Sequence, residues 1–237
     1  MLPKNKNCNN YSTMKKNHSR ILGIVFGLLG TAILSFVFLP IISYQIIARR
    51  DYPELLTPLA KSLVASKVAS EQDFTKASNW FADGKNKSDF VLSGVTHYTI
   101  SIPTLDIKNA VVSIGGEDLS ESLVQYPGTA LPGKDGNAVL FGHSILPIFF
   151  DPANYLSIFS TLPLIKIGDE IFIDFDGVQY TYAVEDKFEV RPTDIQILEQ
   201  NDNSAYLTLV TCTPPGDPRK PKRLIVRAKI VPTNRPR

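Results

Sequence analysis

The amino-acid sequence predicts an all-β fold, a β-barrel with short helices, for the C-terminal part of this 237-residue chain. Short apolar segments with alternating polar residues recur there. The helical patterns between them are brief, which favours a barrel over a doubly wound α/β fold. The clearest pair of alternating segments covers residues 170–175 and 178–184. Asp176-Gly177 separates the two and is a type I′ turn signal, so we expect a two-residue hairpin at this point.

Two short helices are expected between the strands. Asp151-Pro152 offers an N-cap aspartate and a first-turn proline for a helix through residues 153–159. Thr193 and Gln196 have the spacing of a capping box, which predicts a second helix through residues 195–198.

A cysteine at the end of a strand is the first candidate catalytic residue. A lone cysteine is often only a small buried hydrophobe, but residues 206–212 alternate and place Cys212 where loops usually assemble sites. Arg223 begins a second alternating run eleven positions later. If the two strands pair antiparallel, Cys212 and Arg223 are cross-strand neighbours, whereas Arg227 lies about 13 Å further along. Hairpin geometry therefore favours Arg223 over Arg227.

His143 is the best placed of the three histidines, because it follows the short apolar strand 138–142. His18 lies in a basic tail, and His97 lies inside an alternating segment where a structural role is expected. Cysteine, histidine and arginine together suit acyl transfer. The thiolate attacks an amide carbonyl, the imidazolium protonates the departing amine, and a fixed cation stabilises the charge on the carbonyl oxygen. No carboxylate or asparagine partner for the histidine can be assigned from the sequence.

Three stretches of sequence resemble a known family. Residues 208–212, Thr-Leu-Val-Thr-Cys, match a TLxTC signature, and residues 223–226, Arg-Leu-Ile-Val, resemble the strand that opens with a catalytic arginine. Residues 126–139, which begin Tyr-Pro-Gly-Thr, lead into Gly142-His143 in the same way as the family segment before its catalytic histidine. Over residues 92–232 the chain thus resembles the sortases, the membrane-anchored cysteine transpeptidases of bacterial surfaces.

The resemblance implies roles for these residues. Cys212 is expected to be the nucleophile, His143 the acid and base, and Arg223 the group that stabilises the substrate and its oxyanion. Three further motif residues are expected to shape the substrate-binding groove: Thr208, Leu209 and Thr211. The implied reaction cleaves an LPxTG-like C-terminal sorting signal between threonine and glycine, and an amine resolves the thioester.

The resemblance also implies an eight-stranded barrel, which we place at residues 91–237. The chemistry of the family needs no metal and no organic cofactor. Some members use calcium as an allosteric aid, and nothing in the sequence identifies such a site. The expected partners are secreted proteins with a C-terminal sorting signal and an amine, either of the cell envelope or of a pilin lysine.

The N-terminal portion predicts the location of the enzyme. Residues 21–48 contain no charged residue. This uncharged stretch is longer than the roughly 20 apolar residues that are needed to cross a bilayer. A transmembrane anchor is the favoured interpretation, with a cleaved signal peptide as the alternative. Residues 1–20 hold five basic residues and no acid, so the positive-inside rule predicts a cytoplasmic tail and an extracellular catalytic domain.

Residues 49–90 are expected to form an extracellular stalk. Trp80-Phe81 within it has two interpretations, a patch packed on the barrel or a lid that reaches the groove. The aspartate-proline-aromatic lid typical of pilus-assembling sortases is absent from this segment.

Charge and cysteine usage exclude other classes. Removing the five basic residues of the tail from the formal net charge of +2 leaves −3 for the remainder, so a nucleic-acid role loses its electrostatic basis. Cys8 and Cys212 fall on opposite sides of the predicted membrane and cannot pair within one molecule.

Three alternatives to an anchoring transpeptidase stay open: a pilin-polymerising sortase, a surface cysteine peptidase that only hydrolyses, and a non-catalytic envelope-binding module.

Overall fold

The computed structural model describes residues 23–36, 38–39, 42, 75–80, 95–200 and 203–232. The chain divides into two compact units, residues 1–48 and residues 49–237. Residues 23–36 are helical. None of the helices in the described ranges combines the length and the apolar character that a membrane crossing needs. The predicted span 21–48 lies partly outside the described residues, and the predicted tail 1–20 lies wholly outside them.

The second unit contains a closed eight-stranded β-barrel with the strand order β1-β2-β3-β4-β7-β8-β6-β5, which confirms the predicted barrel. Two neighbouring pairs, β2 with β3 and β4 with β7, are parallel, and the other pairs are antiparallel. The strands are β1 His97–Ile102, β2 Ile107–Ile114, β3 Leu123–Gln125, β4 Gly136–Phe141, β5 Glu170–Phe175, β6 Val178–Val190, β7 Ala205–Thr213 and β8 Lys222–Ile230.

The directions of three adjacent strands bring their ends to one rim of the barrel. β4 runs parallel to β7, so the C-terminal ends of both strands lie on the same side. β8 runs antiparallel to β7 and therefore begins where β7 ends. The residue that follows β4, the last residues of β7 and the first residues of β8 are thus neighbours.

The predicted hairpin between β5 and β6 is confirmed. Phe175 pairs with Val178 across the turn. Asp176 and Gly177 have φ angles of 51° and 73°, and two positive values are what a type I′ turn requires.

The predicted helix through residues 153–159 is wrong, because this segment forms consecutive turns. The N–H of Ala153 does bond the Asp151 carboxylate at 2.9 Å, as an N-cap would. Further along, however, side chains take over the backbone groups. The Ser157 hydroxyl bonds both the N–H and the carbonyl of Asp151, and the Asn154 side chain accepts from the N–H of Leu156. Such local bonds compete with a helix.

The second predicted helix forms, but without its capping box. Ile195–Leu198 is a single turn of 3-10 helix with Asp194 at its N-cap position. The Asp194 carboxylate accepts from the backbone N–H of Arg191 at 2.9 Å and does not cap the helix. Thr193 lies one residue too early to serve as the cap.

One sheet face of β4, β7, β8 and β6 carries a buried hydrophobic cluster that includes Cys212. Ala77 and Trp80, from the predicted stalk, belong to this cluster. The members of the cluster are Ala77, Trp80, Leu119, Val124, Val139, Phe141, Phe188, Val190, Ile197, Val210, Cys212 and Ile225.

Candidate active site

Cys212 and Arg223 are direct partners in the antiparallel ladder of β7 and β8. The predicted hairpin geometry is therefore confirmed. Arg227 pairs instead with Thr208, four residues along each strand. At about 3.3 Å per residue this separates the two arginines by about 13 Å, so only Arg223 belongs to the rim that holds the thiol.

Three hydrogen bonds fasten the end of β4 to the end of β7. The N–H of Gly142 donates to the carbonyl of Val210 at 3.1 Å and continues the parallel ladder. The Thr211 hydroxyl donates to the carbonyl of Gly142 at 2.8 Å, and the Ser144 hydroxyl donates to the carbonyl of Cys212 at 2.7 Å. His143 lies between two of these fastened residues, so its position relative to the thiol is defined by the backbone.

A side chain does not fit at Gly142, the residue immediately before His143. A Cβ placed there would lie 2.5 Å from side-chain carbons of both Leu123 and Phe159. The N–H of Phe159 donates to the carbonyl of His143 at 2.9 Å, so the segment after β4 folds back tightly over this glycine. The glycine-histidine pair in the sequence is the visible sign of this packing.

Arg223 is buried, with 1% of its surface exposed, and backbone carbonyls hold its guanidinium. Nη1 donates to the carbonyls of Lys220 at 2.9 Å and Lys222 at 3.1 Å, and Nη2 donates to the carbonyl of Trp80 at 3.0 Å. Burial lowers the pKa of Arg223, while the neighbouring Cys212 thiolate form acts to raise it. The guanidinium is thus fixed in direction beside the thiol.

Trp80 covers the site. Its side chain is fully buried and stacks on Phe141 with ring centroids 5.4 Å apart. The same ring lies 5.7 Å from the His143 ring and 5.4 Å from the Arg223 guanidinium carbon. Trp80 therefore packs on the barrel and reaches the candidate site at once, whereas Phe81 lies outside the described residues. The sequence leaves packing on the barrel and reaching the groove as two alternatives for Trp80-Phe81, and the structure shows Trp80 in contact with both the barrel and the candidate site.

Backbone hydrogen bonds anchor the segment that ends in Trp80. The N–H of Ala77 donates to the carbonyl of Glu117 at 3.1 Å, and the N–H of Leu119 donates to the carbonyl of Thr75 at 2.9 Å. Both partners belong to the connection between β2 and β3. The segment from Thr75 to Trp80 is therefore an added strip on the barrel, and it places Trp80 on the candidate site.

Closure sets the protonation of the thiol. Cys212 is 2% exposed, and desolvation raises the pKa of its thiol above the ordinary value of 9.0, while the charges of Arg223 and Lys220 act to lower it. Burial is the largest of these effects. The closed site thus favours the neutral thiol, against the charges of Arg223 and Lys220.

The three predicted groove residues, Thr208, Leu209 and Thr211, are fully buried. The Thr208 hydroxyl donates to the Asn137 side-chain oxygen at 2.7 Å, and the Thr211 hydroxyl is part of the β4 to β7 connection. This burial is consistent with side chains that shape the groove from within, and their part in substrate binding stays a prediction.

No group of three or more histidine, cysteine, aspartate or glutamate side chains that could hold a metal ion occurs in the described part of the chain.

Comparisons with known proteins agree on one family. A family model described as "Sortase domain" matches residues 100–231. Over 178 residues, 71% of this chain and 70% of the relative, the chain is 25% identical to sortase A of Streptococcus agalactiae serotype III (strain NEM316). A solved lid mutant of sortase A from Corynebacterium diphtheriae is similar with a TM-score of 0.51 and 32% identity, over 61% of this chain and 74% of that one. A sortase D5 transpeptidase from Clostridium perfringens is similar with a TM-score of 0.50 and 26% identity, over 60% of this chain and 82% of that one.

Proposed function

Because the chain belongs to the sortase family and is therefore a cysteine transpeptidase, we propose that Cys212, His143 and Arg223 are its catalytic residues. We propose that it cleaves an LPxTG-like C-terminal sorting signal and transfers the protein to an amine of the cell envelope. The observation that supports these assignments most directly is the pairing of Cys212 with Arg223 at the rim where β4 delivers His143.

The reaction has two halves with one covalent intermediate. In the first half the Cys212 thiolate attacks the threonine carbonyl carbon of the signal, the bond to the glycine nitrogen breaks, and the His143 imidazolium gives a proton to that nitrogen. In the second half the acceptor amine attacks the thioester, loses its proton to His143 and restores the thiolate. Each half passes through an oxyanion, which needs a fixed cation or hydrogen-bond donor.

Arg223 is suited to the oxyanion because its Nη2, which faces the covered side of the site, already donates to a peptide carbonyl. Nη1 is taken up by the carbonyls of Lys220 and Lys222, whereas Nη2 donates to Trp80 on the covered side of the site. We propose that a substrate carbonyl replaces that of Trp80 on Nη2. Arginine stays protonated throughout, so the charge is present in both halves of the reaction.

Access to the thiol requires Trp80 to leave, so we propose that the segment Thr75–Trp80 acts as a lid. The similar sortase A of Corynebacterium diphtheriae also has a lid, since its solved structure is that of a lid mutant. In this chain the contacts of Trp80 with His143 and Arg223 support the same role.

The family and the sequence together support a proposal for the location and partners of the enzyme. Sortases are cell-envelope proteins, and we propose that residues 21–48 anchor this one in the membrane as a single span, with residues 1–20 in the cytoplasm and the catalytic domain outside. The lack of charge from 21 to 48 and the five basic residues before it support that orientation. The proposed partners are secreted proteins that carry the sorting signal.

The test uses the full chain in detergent and a labelled LPxTG peptide, with and without an added amine. Product masses distinguish transfer from hydrolysis, and Cys212→Ala is the control. We expect the amine to appear on the threonine carboxyl group in the wild type only. Hydrolysis alone would contradict the transfer step, and equal turnover by Cys212→Ala would contradict the assignment of the nucleophile.

A further inference from the structure

We propose that Lys220, in the loop between β7 and β8, is a positioning residue of this active site. Its main-chain carbonyl aims the Arg223 guanidinium, and its positive charge, in the loop that follows Cys212, favours the thiolate. The inference rests on the proposed roles of Cys212 and Arg223 and goes beyond them, because it assigns a task to a residue outside the three catalytic positions.

The backbone of Lys220 adopts a conformation that lysine rarely takes. Its φ angle is +44°, in the left-handed region that is unfavourable for residues with an ordinary side chain. The other described non-glycine residues with positive φ are Asp106, Asn109 and Asp176, whose short polar side chains tolerate this region. An unfavourable conformation persists where the surroundings require it, and such positions cluster at functional sites.

The requirement at Lys220 is visible in its hydrogen bonds. The left-handed turn directs the Lys220 carbonyl at Nη1 of Arg223, which donates to it at 2.9 Å. The carbonyl of Lys222 accepts a longer bond of 3.1 Å from the same nitrogen. Two carbonyls on Nη1 leave Nη2 to face the covered side of the site, where it binds the carbonyl of Trp80.

Asp217 stabilises the turn that contains Lys220. Its backbone carbonyl accepts from the N–H of Lys220 at 3.1 Å, and its backbone N–H donates to the carbonyl of Pro214 at 3.2 Å. Its carboxylate accepts from Nε and Nη2 of Arg219 at 3.0 and 2.7 Å. The Asp217 side chain is only 4% exposed, whereas that of Arg219 is 76% exposed. The loop therefore has an internal support that holds the Lys220 carbonyl in place.

The charge of Lys220 also acts on the nucleophile. Arg223 and Lys220 are the two charged residues that lower the pKa of the Cys212 thiol against the effect of burial. His143 approaches from the end of β4, and the covering ring of Trp80 is uncharged. Lys222 pairs with Glu189 at 3.1 Å, at ladder positions that alternate with Arg223 and so project to the opposite sheet face. The charge of Lys220 is thus added to that of Arg223 in favouring the thiolate.

Three substitutions separate the two tasks. Lys220→Arg keeps the charge, Lys220→Gly removes the charge but suits the left-handed turn, and Lys220→Pro forces φ to about −65° and displaces the carbonyl. The matched control is Lys229→Ala, which removes an exposed lysine of β8 far from Cys212. All variants carry Cys8→Ser, so that Cys212 is the sole thiol.

The first readout is the rate of alkylation of Cys212 by iodoacetamide as a function of pH, which does not depend on any peptide substrate. We expect Cys212 of the Lys220→Gly variant to be alkylated at least about threefold more slowly at neutral pH, because the thiolate fraction falls. Lys220→Arg and Lys229→Ala are expected to match the wild type. An unchanged rate profile in Lys220→Gly would overturn the electrostatic part of the inference.

The second readout is kcat/KM for transfer of the labelled peptide. The kcat/KM of Lys220→Pro is expected to fall by on the order of 100-fold, since a misplaced Arg223 no longer meets the oxyanion. The kcat/KM of Lys220→Gly is expected to fall only by the same factor as its rate of alkylation. Asp217→Ala, which loosens the same turn, serves if the proline variant does not fold. Wild-type transfer with equal kcat/KM in all variants would reject the positioning role and leave the proposed function intact. Absence of transfer by the wild type would reject the proposed function, and the alkylation rates would still test the effect of Lys220 on Cys212.

Discussion

Arg223 donates one hydrogen bond, 3.0 Å long, to the backbone carbonyl of Trp80, a residue 143 positions earlier in the chain. The guanidinium that lies opposite the Cys212 thiol is thereby occupied by the segment that covers the site. The contact links two properties of the enzyme, the ability of Arg223 to bind a carbonyl and the closure of the groove.

Replacing Arg223 with alanine is expected to reduce kcat/KM by on the order of 10²–10³, the size typical for loss of an oxyanion donor. Arg227→Ala is the matched control, because it removes the same side chain from the same strand about 13 Å away. Steady-state kinetics with the labelled peptide measure both. Equal losses in the two variants would contradict the assignment that rests on the β7–β8 register.

Replacing Trp80 with alanine is expected to open the site. Burial is the main reason that the Cys212 pKa is raised, so exposure lowers that pKa towards its ordinary value and increases the rate of alkylation at neutral pH. Trp80→Phe keeps an aromatic cover and is expected to react at nearly the wild-type rate. Slower alkylation of Trp80→Ala would show that the segment does not restrict access to the thiol.

The fluorescence of Trp80 offers a second measurement of the same motion. Trp80 is the sole tryptophan of the chain and is fully buried. Binding of a sorting-signal peptide to a Cys212→Ala variant is expected to shift the emission to longer wavelength as the ring enters water. An emission spectrum that stays constant at saturating peptide would contradict displacement of the lid.

The stability of the folded protein is expected to depend on pH through Cys212. The folded-state pKa of this thiol is raised above its ordinary value of 9.0, so the folded state holds the proton more tightly than the unfolded state. The associated stability is fully present below about pH 9 and is lost as the pH rises through the folded pKa. Urea unfolding of wild type and Cys212→Ala at several pH values from 7 upward measures the difference. The same pH dependence of the unfolding free energy in wild type and Cys212→Ala would contradict the raised pKa of the thiol.

Gly142→Ala is expected to destabilise the barrel by about 1–3 kcal/mol, as overpacking does. The added Cβ would lie 2.5 Å from side-chain carbons of Leu123 and Phe159. Gly23→Ala is the control, because nothing lies within 4 Å of a Cβ there. Thermal and urea unfolding measure stability, and a wild-type midpoint for Gly142→Ala would show that the neighbours move aside freely.

Local signals in the sequence were sufficient for the features that depend on near neighbours. The β5–β6 hairpin follows from Asp176-Gly177, and the pairing of Cys212 with Arg223 follows from two alternating runs joined by a short loop. Helix signals failed at residues 153–159, because the hydroxyl of Ser157 and the amide of Asn154 took the backbone partners that a helix needs. A capping pattern does not report such competition.

The sequence by itself determined the family of this protein and the candidate catalytic groups, which are a thiol, an imidazole and a guanidinium at strand ends. Only the tertiary structure decided that β4 lies parallel to β7, which brings His143 to the rim, and that Trp80 closes the site. The physical reason is distance along the chain. Hairpin partners are specified by local alternation and turn residues, whereas the contacts of His143 with Trp80, and of Trp80 with Arg223, join segments far apart in the chain and arise only when the whole barrel packs.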